Sequence, residues 1–180
     1  DTSLEVSFAV SAGHAEIVGP LTAPTVGGIA RTTLRASVRA GQVWVQAQAG
    51  DLRPGQATLV LLPGQPAKLL LQASRPALPA ESGATCELVA LVQDVFGNTA
   101  ARDSTTLVSF SVSGGPAAIA GPAVAQAHDG VARAVLRSTG VPGEALVYAG
   151  APGLIPSTLA VPVRRDQAPS RAALRVAEPD

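Results

Sequence analysis

The residues that can carry chemistry are few in this 180-residue chain, which contains two histidines and one cysteine. His128 stands beside Asp129, and a histidine with a carboxylate is part of the arrangement that activates a serine nucleophile. Adjacent residues of a strand point to opposite faces, so this pair would not form such an arrangement on a strand. A histidine in a loop or at the entry to a strand is the favoured interpretation. His14 follows Gly13 in a turn and is predicted to be solvated. We therefore predict no catalytic residue and no enzymatic activity.

A second candidate for chemistry is a calcium site in the segment Asp94-Val95-Phe96-Gly97-Asn98. The side chains of Asp94 and Asn98 offer oxygen ligands, but calcium takes six or more oxygens, and only Asp103 adds a further acid nearby. A structural turn is favoured, since Gly97 and Asn98 tolerate positive φ and Asp94 can cap the turn. The calcium interpretation stays open as the weaker alternative, and no cofactor is predicted.

The single cysteine, Cys86, excludes an intrachain disulfide and a cysteine metal cage. It belongs to the alternating series Cys86, Leu88, Ala90 and Val92. A small buried hydrophobe is therefore favoured over a reactive thiol.

Trp44 is the most informative candidate for a binding contact, because it shares the outward face of its strand with glutamines. Three interpretations stay open: cover by a neighbouring domain or long side chain, a protein contact, or a platform for a sugar ring. Val89 and Leu91 also point outward from their strand, which favours an apolar contact over a platform for a sugar ring. The predicted partner-contact residues are Trp44, Val89, Leu91, Leu146, Tyr148, Leu174 and Val176.

A long internal repeat organises the elements that must position these residues. Residues 4–61 align without a gap on residues 106–163, so that Val6-Ser7-Phe8 returns as Val108-Ser109-Phe110. About 22 of the 58 aligned positions are identical. A period near 100 residues is too long for a solenoid and matches a sandwich domain.

Apolar residues alternate with polar ones over short runs separated by glycine and proline, which is typical of half-buried strands. The fold class is therefore all-β, with tandem immunoglobulin-like antiparallel β-sandwiches. One full repeat is read as seven strands, a to g, at about 67–73, 84–93, 105–113, 116–121, 129–138, 143–151 and 157–163.

The repeat is cut in an unusual frame. We predict an incomplete domain at 1–63 that lacks strands a and b, a complete domain at 64–164, and an extension at 165–180 that carries one further strand at 169–176. Two interpretations stay open. The chain is a fragment of a longer array, or a strand from another chain, with 169–176 as the candidate, completes the first domain by β-augmentation. Segment 169–176 resembles only strand a, so strand b stays unaccounted for.

The motifs of the complete repeat resemble a known family. An Asp-x-x-Gly-Asn turn precedes a Val-x-Phe strand, and a Gly-x-Ala run precedes a Gly-x-x-x-Val-x-Ala strand. This pattern resembles the bacterial Ig-like domains of the invasin and intimin type. A second resemblance, carried by a Phe-x-Val-x-Gly strand and a late Gly-Leu, is to the non-catalytic C-terminal sandwich domains of family two β-galactosidases. The matching positions are Asp94, Gly97, Asn98, Val108, Phe110, Gly130, Ala132, Leu136, Gly143, Val147 and Ala149. The resemblance implies surface adhesins, spacers in secreted enzymes, or matrix and sheath proteins.

Composition narrows the function further. Hydrophobic residues make up 47% of the chain and charged residues 14%, with zero formal net charge, which argues against nucleic-acid and polybasic membrane binding. No apolar run approaches a membrane span, and the absence of Met indicates a processed form or a fragment.

We expect a non-catalytic structural or adhesive module, secreted or at the cell surface. Its expected partners are neighbouring copies of itself or flanking Ig-like repeats, and carbohydrate is a further possibility. An accessory sandwich or carbohydrate-binding module of a secreted glycoside hydrolase is the alternative.

Overall fold

The computed structural model describes residues 3–165, and every regular element in that range is a β-strand. The strands are β1 Glu5–Ala12, β2 Ala15–Ile17, β3 Thr22–Pro24, β4 Leu34–Ala36, β5 Gly41–Gln48, β6 Gly55–Leu61, β7 Lys68–Ala73, β8 Leu78–Pro79, β9 Thr85–Gln93, β10 Leu107–Gly114, β11 Ala117–Ala120, β12 Val124–Gln126, β13 Val131–Ser138, β14 Gly143–Gly150 and β15 Ser157–Arg164. None of the described residues belongs to a helix with the length and apolarity that a membrane crossing needs.

Two compact units can be distinguished by their internal contacts. Unit 1 holds the described residues up to Lys68 together with Val92–Arg102, and unit 2 holds Leu69–Leu91 with the described residues from Asp103 onward. The sequence interpretation assigned Val92–Arg102 to the second repeat. In the structure the contacts of this segment group it with the residues of unit 1.

In unit 2 the strands form two layers. One sheet has the order β12-β10-β14-β15-β8 and the other the order β11-β13-β9-β7. The pairs β10-β12, β10-β14, β14-β15, β11-β13 and β13-β9 are antiparallel, and β15 and β8 are parallel. Apolar side chains of the two sheets alternate inward, which is the packing of a β-sandwich. The fully buried side chains include those of Leu88, Val108, Leu136, Val147 and Val161.

Unit 1 has one sheet of order β3-β1-β5-β6 and a short pair, β2-β4. The registers are those of unit 2 at an offset of 102 residues. Phe8 pairs with Ala47 as Phe110 pairs with Ala149. The register shift that follows Val10 recurs after Val112. Identical side chains at aligned positions thus form the same strand pairs.

The all-β antiparallel fold is confirmed, and each of the seven strands read from the full repeat has a counterpart in the structure. Three short strands, β3, β8 and β12, were not predicted. Each has two or three residues, which is too short for a period-two pattern to be recognised.

Gly115 is required where β10 bulges and turns towards β11. Its φ is +95°, and an added Cβ would meet the carbonyl oxygen of Glu144 and lie 2.7 Å from the Cα of Ala145. Gly121 has a similar φ of +91°, but a Cβ there would meet open space. A comparison of alanine substitutions at the two glycines therefore distinguishes backbone strain, which both share, from steric overlap, which only Gly115 has.

Gly115→Ala is expected to destabilise unit 2 more than Gly121→Ala does. Both substitutions carry a positive-φ cost of about 1–2 kcal/mol, and only Gly115→Ala adds an overpacking cost of about 1–3 kcal/mol. Hydrogen exchange of peptides from β10 and β14, measured by mass spectrometry, reports the difference. Equal loss of protection in the two variants would contradict the steric role of Gly115.

Candidate protein-interaction site

The inner face of the β3-β1-β5-β6 sheet in unit 1 is open. Leu59 is 44% exposed, whereas Val161, its counterpart 102 residues on, is 1% exposed. Phe8 is only half-buried, although its counterpart Phe110 is 2% exposed. Val45 is likewise half-buried. The same apolar face is thus closed in unit 2 and accessible in unit 1.

Strands β9 and β7 close this face in unit 2. β9 pairs along the whole of β13 from Val131 to Arg137. It places the buried side chains of Cys86, Leu88 and Ala90 in the core, and β7 adds Leu69 and Leu71. Unit 1 has no described strand at the position equivalent to β9.

A groove of about 650 Å³ lies in unit 1 beside residues 30–33, the counterparts of residues 132–135 in β13. One wall is the sheet face, with Phe8 and Val45, and the other is the segment 30–33. Segment 29–36 is the counterpart of β13, but only Leu34–Ala36 is a strand, and it pairs with β2 alone. This combination of a groove with an apolar sheet face and an edge without a described strand partner is suited to binding another strand. The sequence did not predict this groove.

A second feature of unit 1 is the turn around Asp94, whose carboxylate is buried at 1% exposure. One carboxylate oxygen accepts hydrogen bonds from the backbone N–H groups of Phe96 and Asn98, both at 2.9 Å. The other accepts the backbone N–H of Gly64 at 2.9 Å and the side-chain amide of Asn98 at 2.7 Å. Four donors therefore satisfy one carboxylate.

Asn98 links this turn to the segment that precedes β5. Its side-chain nitrogen donates to the carbonyl of Val38 at 2.8 Å, and its side-chain oxygen accepts the N–H of Ala40 at 2.9 Å. Residues that the sequence assigned to the second repeat thus bind residues assigned to the first. Because the amide is engaged on both its nitrogen and its oxygen, only Asn or a close mimic can form this contact.

The calcium interpretation of Asp94 and Asn98 remains a prediction. The contacts of their side-chain oxygens within the described residues are N–H donors. In residues 3–165 no group of three or more acidic, histidine or cysteine side chains lies close enough to hold a metal ion. The hydrogen bonds support the structural-turn interpretation.

The predicted partner-contact residues lie on several outward surfaces. Trp44 is 38% exposed on the outer face of β5 in unit 1, beside Thr58 of β6. In unit 2, Leu146 and Tyr148 of β14 are 44% and 39% exposed. Val89 and Leu91 of β9 are half-buried. Leu174 and Val176 fall outside the described residues. Within unit 2, β14 and β9 belong to different sheets, so Leu146 and Tyr148 do not share a face with Val89 and Leu91. The partner-contact interpretation stays a prediction.

The remaining candidates are accounted for locally. His14 is exposed, and His128 is exposed at the start of a tight turn in which Asp129 has φ +51°. Cys86 is buried at 3% exposure, as predicted, and its burial raises the pKa of the thiol. A raised pKa lowers the thiolate fraction and with it the reactivity.

Comparisons with known proteins place the fold. No protein-family model and no curated protein matches the sequence. Among solved structures, a glycosyl hydrolase family 2 member from Bacteroides cellulosilyticus has a TM-score of 0.57 at 18% identity, covering 89% of this chain and 22% of that chain. A β-glycosidase from Bacteroides vulgatus has a TM-score of 0.55 at 14% identity, covering 88% and 21%. The D00-D0 domain of Intimin has a TM-score of 0.52 at 17% identity, covering 88% and 84%.

At these identities the likeness shows the fold alone, and the fold is the Ig-like β-sandwich. The resemblance to intimin-type domains and to sandwich domains of family 2 glycosidases, inferred from sequence motifs, is confirmed at this level. The chain spans about a fifth of the length of the two glycosidases.

The pKa of Asp94 predicts an acid-sensitive turn. Hydrogen bonding by the Asn98 side chain, helped by the N–H groups of Gly64, Asn98 and Phe96 and opposed by burial, lowers this pKa from 3.8 to about 2. A lowered folded-state pKa stabilises the protein above the unfolded value, and that stabilisation is lost as pH falls towards the folded value. We expect unit 1 to lose stability between pH 3.8 and about 2.

Asp94→Asn should be less stable than the unmodified chain near neutral pH, and the difference should shrink across that acid range. Acid titrations of the two proteins, followed by hydrogen exchange of β5 and β6 peptides, measure the difference. A difference in stability that is the same at all pH values would contradict the assignment of the acid-sensitive group to Asp94. Asp51→Asn, in the exposed loop before β6, is the matched control.

Proposed function

We propose that this chain is a non-catalytic structural or adhesive Ig-like module of an extracellular or cell-surface protein. In this proposal the first repeat is an acceptor, and a strand from a neighbouring chain completes it. The single observation that carries the proposal is the open inner face of unit 1, at positions where unit 2 buries the same residue types.

The energetic argument for an acceptor is the apolar area left in water. A large aliphatic side chain that becomes fully buried gains about 1.5–3 kcal/mol. Phe8, Val45 and Leu59 are each partly accessible, and each has a buried counterpart in unit 2. Burying them under a strand would also satisfy backbone groups along the edge of segment 29–36.

The carboxylates described above support a structural role. Asp94 accepts three hydrogen bonds within its turn and one from the backbone N–H of Gly64, and Asp103 accepts three from Thr105 and Thr106 through its Oδ1. Burial raises the pKa of Asp103, but the hydrogen bonds from Thr106 and Thr105 outweigh it and leave the pKa below its ordinary value. Both carboxylates thus hold turns of the sandwich.

A second candidate function is an accessory sandwich or carbohydrate-binding module of a secreted glycoside hydrolase. The observation that favours it is the match of nearly the whole chain to about a fifth of two bacterial glycosidases. In that case Trp44 is the residue to test for sugar contact. Binding on a glycan array that is lost on Trp44→Ala would favour this candidate.

The acceptor proposal is tested on two adjacent residues of β6 that face opposite sides of the sheet. Leu59 lies across from the buried Val43, and Val60 lies across from Gln42 on the outer face. Fluorescent peptides spanning residues 65–93 and 167–180 are the strand probes. At least one peptide is expected to bind the chain and the Val60→Glu variant, and to bind Leu59→Glu at least about tenfold more weakly, because a carboxylate would be buried.

Fluorescence anisotropy measures the binding, and hydrogen exchange of β1 and β5 confirms that each variant is folded. If neither peptide binds the chain, the acceptor proposal is wrong. It is equally wrong if Leu59→Glu and Val60→Glu bind a peptide alike.

A further inference from the structure

We propose that the strand accepted by unit 1 is of the β9 type, supplied by another repeat of this same kind. It would lie antiparallel to segment 29–36 and place a carboxylate beside Arg31. This inference rests on the proposed function, and it names the partner and its register.

The unpaired edge decides where the strand lies. In unit 2, β13 is paired on one side with β11 and on the other with β9. In unit 1, β4 keeps the first partner, because Ala15–Ile17 pairs with Leu34–Ala36 in the same register. The second side of segment 29–36 has no strand partner among the described residues. An incoming strand can therefore pair only with this second side of segment 29–36.

The sheet order decides which type of strand can take that edge. The order is β11-β13-β9-β7, so β7 reaches the sheet through β9 and does not pair with β13. Segment 169–176 resembles residues 66–73, which include β7. A β7-like strand alone would leave the position next to segment 29–36 empty. The edge therefore requires a β9-like strand first.

The register follows from the repeat. Opposite β13, Ala90 faces Ala132, Leu88 faces Ala134 and Cys86 faces Leu136. The counterparts of these three β13 residues in unit 1 are the half-buried Ala30, Thr32 and Leu34. The accepted strand must therefore carry small or aliphatic residues at alternate positions over the groove.

A charged residue on the solvent-facing side of the accepted strand would add specificity for that strand. In unit 2, Arg133 forms an ion pair with Glu87 of β9 at 2.9 Å. Arg31 is the counterpart of Arg133 and is exposed, and it takes part in neither ion pair formed by the described residues. A carboxylate at the position of Glu87 would face Thr33 and reach Arg31 diagonally across the pair.

The first experiment uses the peptide of residues 65–93 added to the full chain. We expect binding that slows amide exchange in segment 29–36 by at least about tenfold. The Glu87→Lys peptide should bind about three- to tenfold more weakly at low salt, because it places two cations together. The Glu81→Lys peptide has the same charge change outside β9 and should bind like the parent peptide.

A second experiment removes the dependence on a free peptide. Asp1 aligns with Asp103, so a copy of residues 62–102 joined directly ahead of Asp1 places a β9-like strand in the register of unit 2. We expect this fused chain to protect segment 29–36 and β1, and to lose part of that protection when the added Glu87 is replaced by Lys.

The outcomes separate the two proposals. If only the 167–180 peptide binds at the open face, the β9-type inference is wrong and the acceptor function stands. Binding of the 65–93 peptide without protection of segment 29–36, or without a difference between Glu87→Lys and Glu81→Lys, also overturns the inference. If neither peptide binds the chain, both proposals fail. A fused chain that gains no protection of segment 29–36 also overturns the β9-type inference.

Discussion

The constraint on which this structure depends is that an inward-facing row of apolar side chains needs a second sheet to cover it. Unit 2 meets it with β9 and β7, and the counterparts of its core residues show what happens without them. Leu59 is 44% exposed where Val161 is 1% exposed. Because the registers of the two units match at an offset of 102 residues, the difference does not come from a different strand arrangement. It accompanies the covering strands, which unit 2 has and which the described residues of unit 1 do not provide.

Hydrogen bonding in the Asp94 turn is the second interaction that determines the structure of unit 1. Its buried carboxylate collects four N–H donors, while Asn98 reaches the backbone of Val38 and Ala40. Unpaired buried polar groups are costly, so these bonds hold a defined conformation of the turn and of the segment before β5 within unit 1. The turn residues that define the sequence motif thus also bind residues far away in the chain.

The strands, the buried Cys86 and the turn at Asp94 were predictable because each depends on local pattern: alternation, burial of a small apolar residue, or turn chemistry. The contact of Asn98 with Val38 was not, since 60 residues separate the pair and no periodicity reports it. Short strands such as β8, which pairs in parallel with β15, depend on tertiary context. The open face of unit 1 follows from the missing strands, but the groove beside segment 29–36 required the structure. The domain bounds and the partner-contact residues, including Trp44, stay predictions.

The central claim is that no strand among residues 3–165 covers the apolar sheet face of unit 1, whereas β9 and β7 cover that of unit 2, and hydrogen exchange of the free chain tests it directly. Val6-Ser7-Phe8 in β1 and Val108-Ser109-Phe110 in β10 have identical sequences, so their intrinsic exchange rates nearly cancel. We predict that β1 and β5 exchange at least about tenfold faster than β10 and β14, because local opening of an uncovered sheet costs less free energy. Equal protection of the two sets of strands would contradict the account.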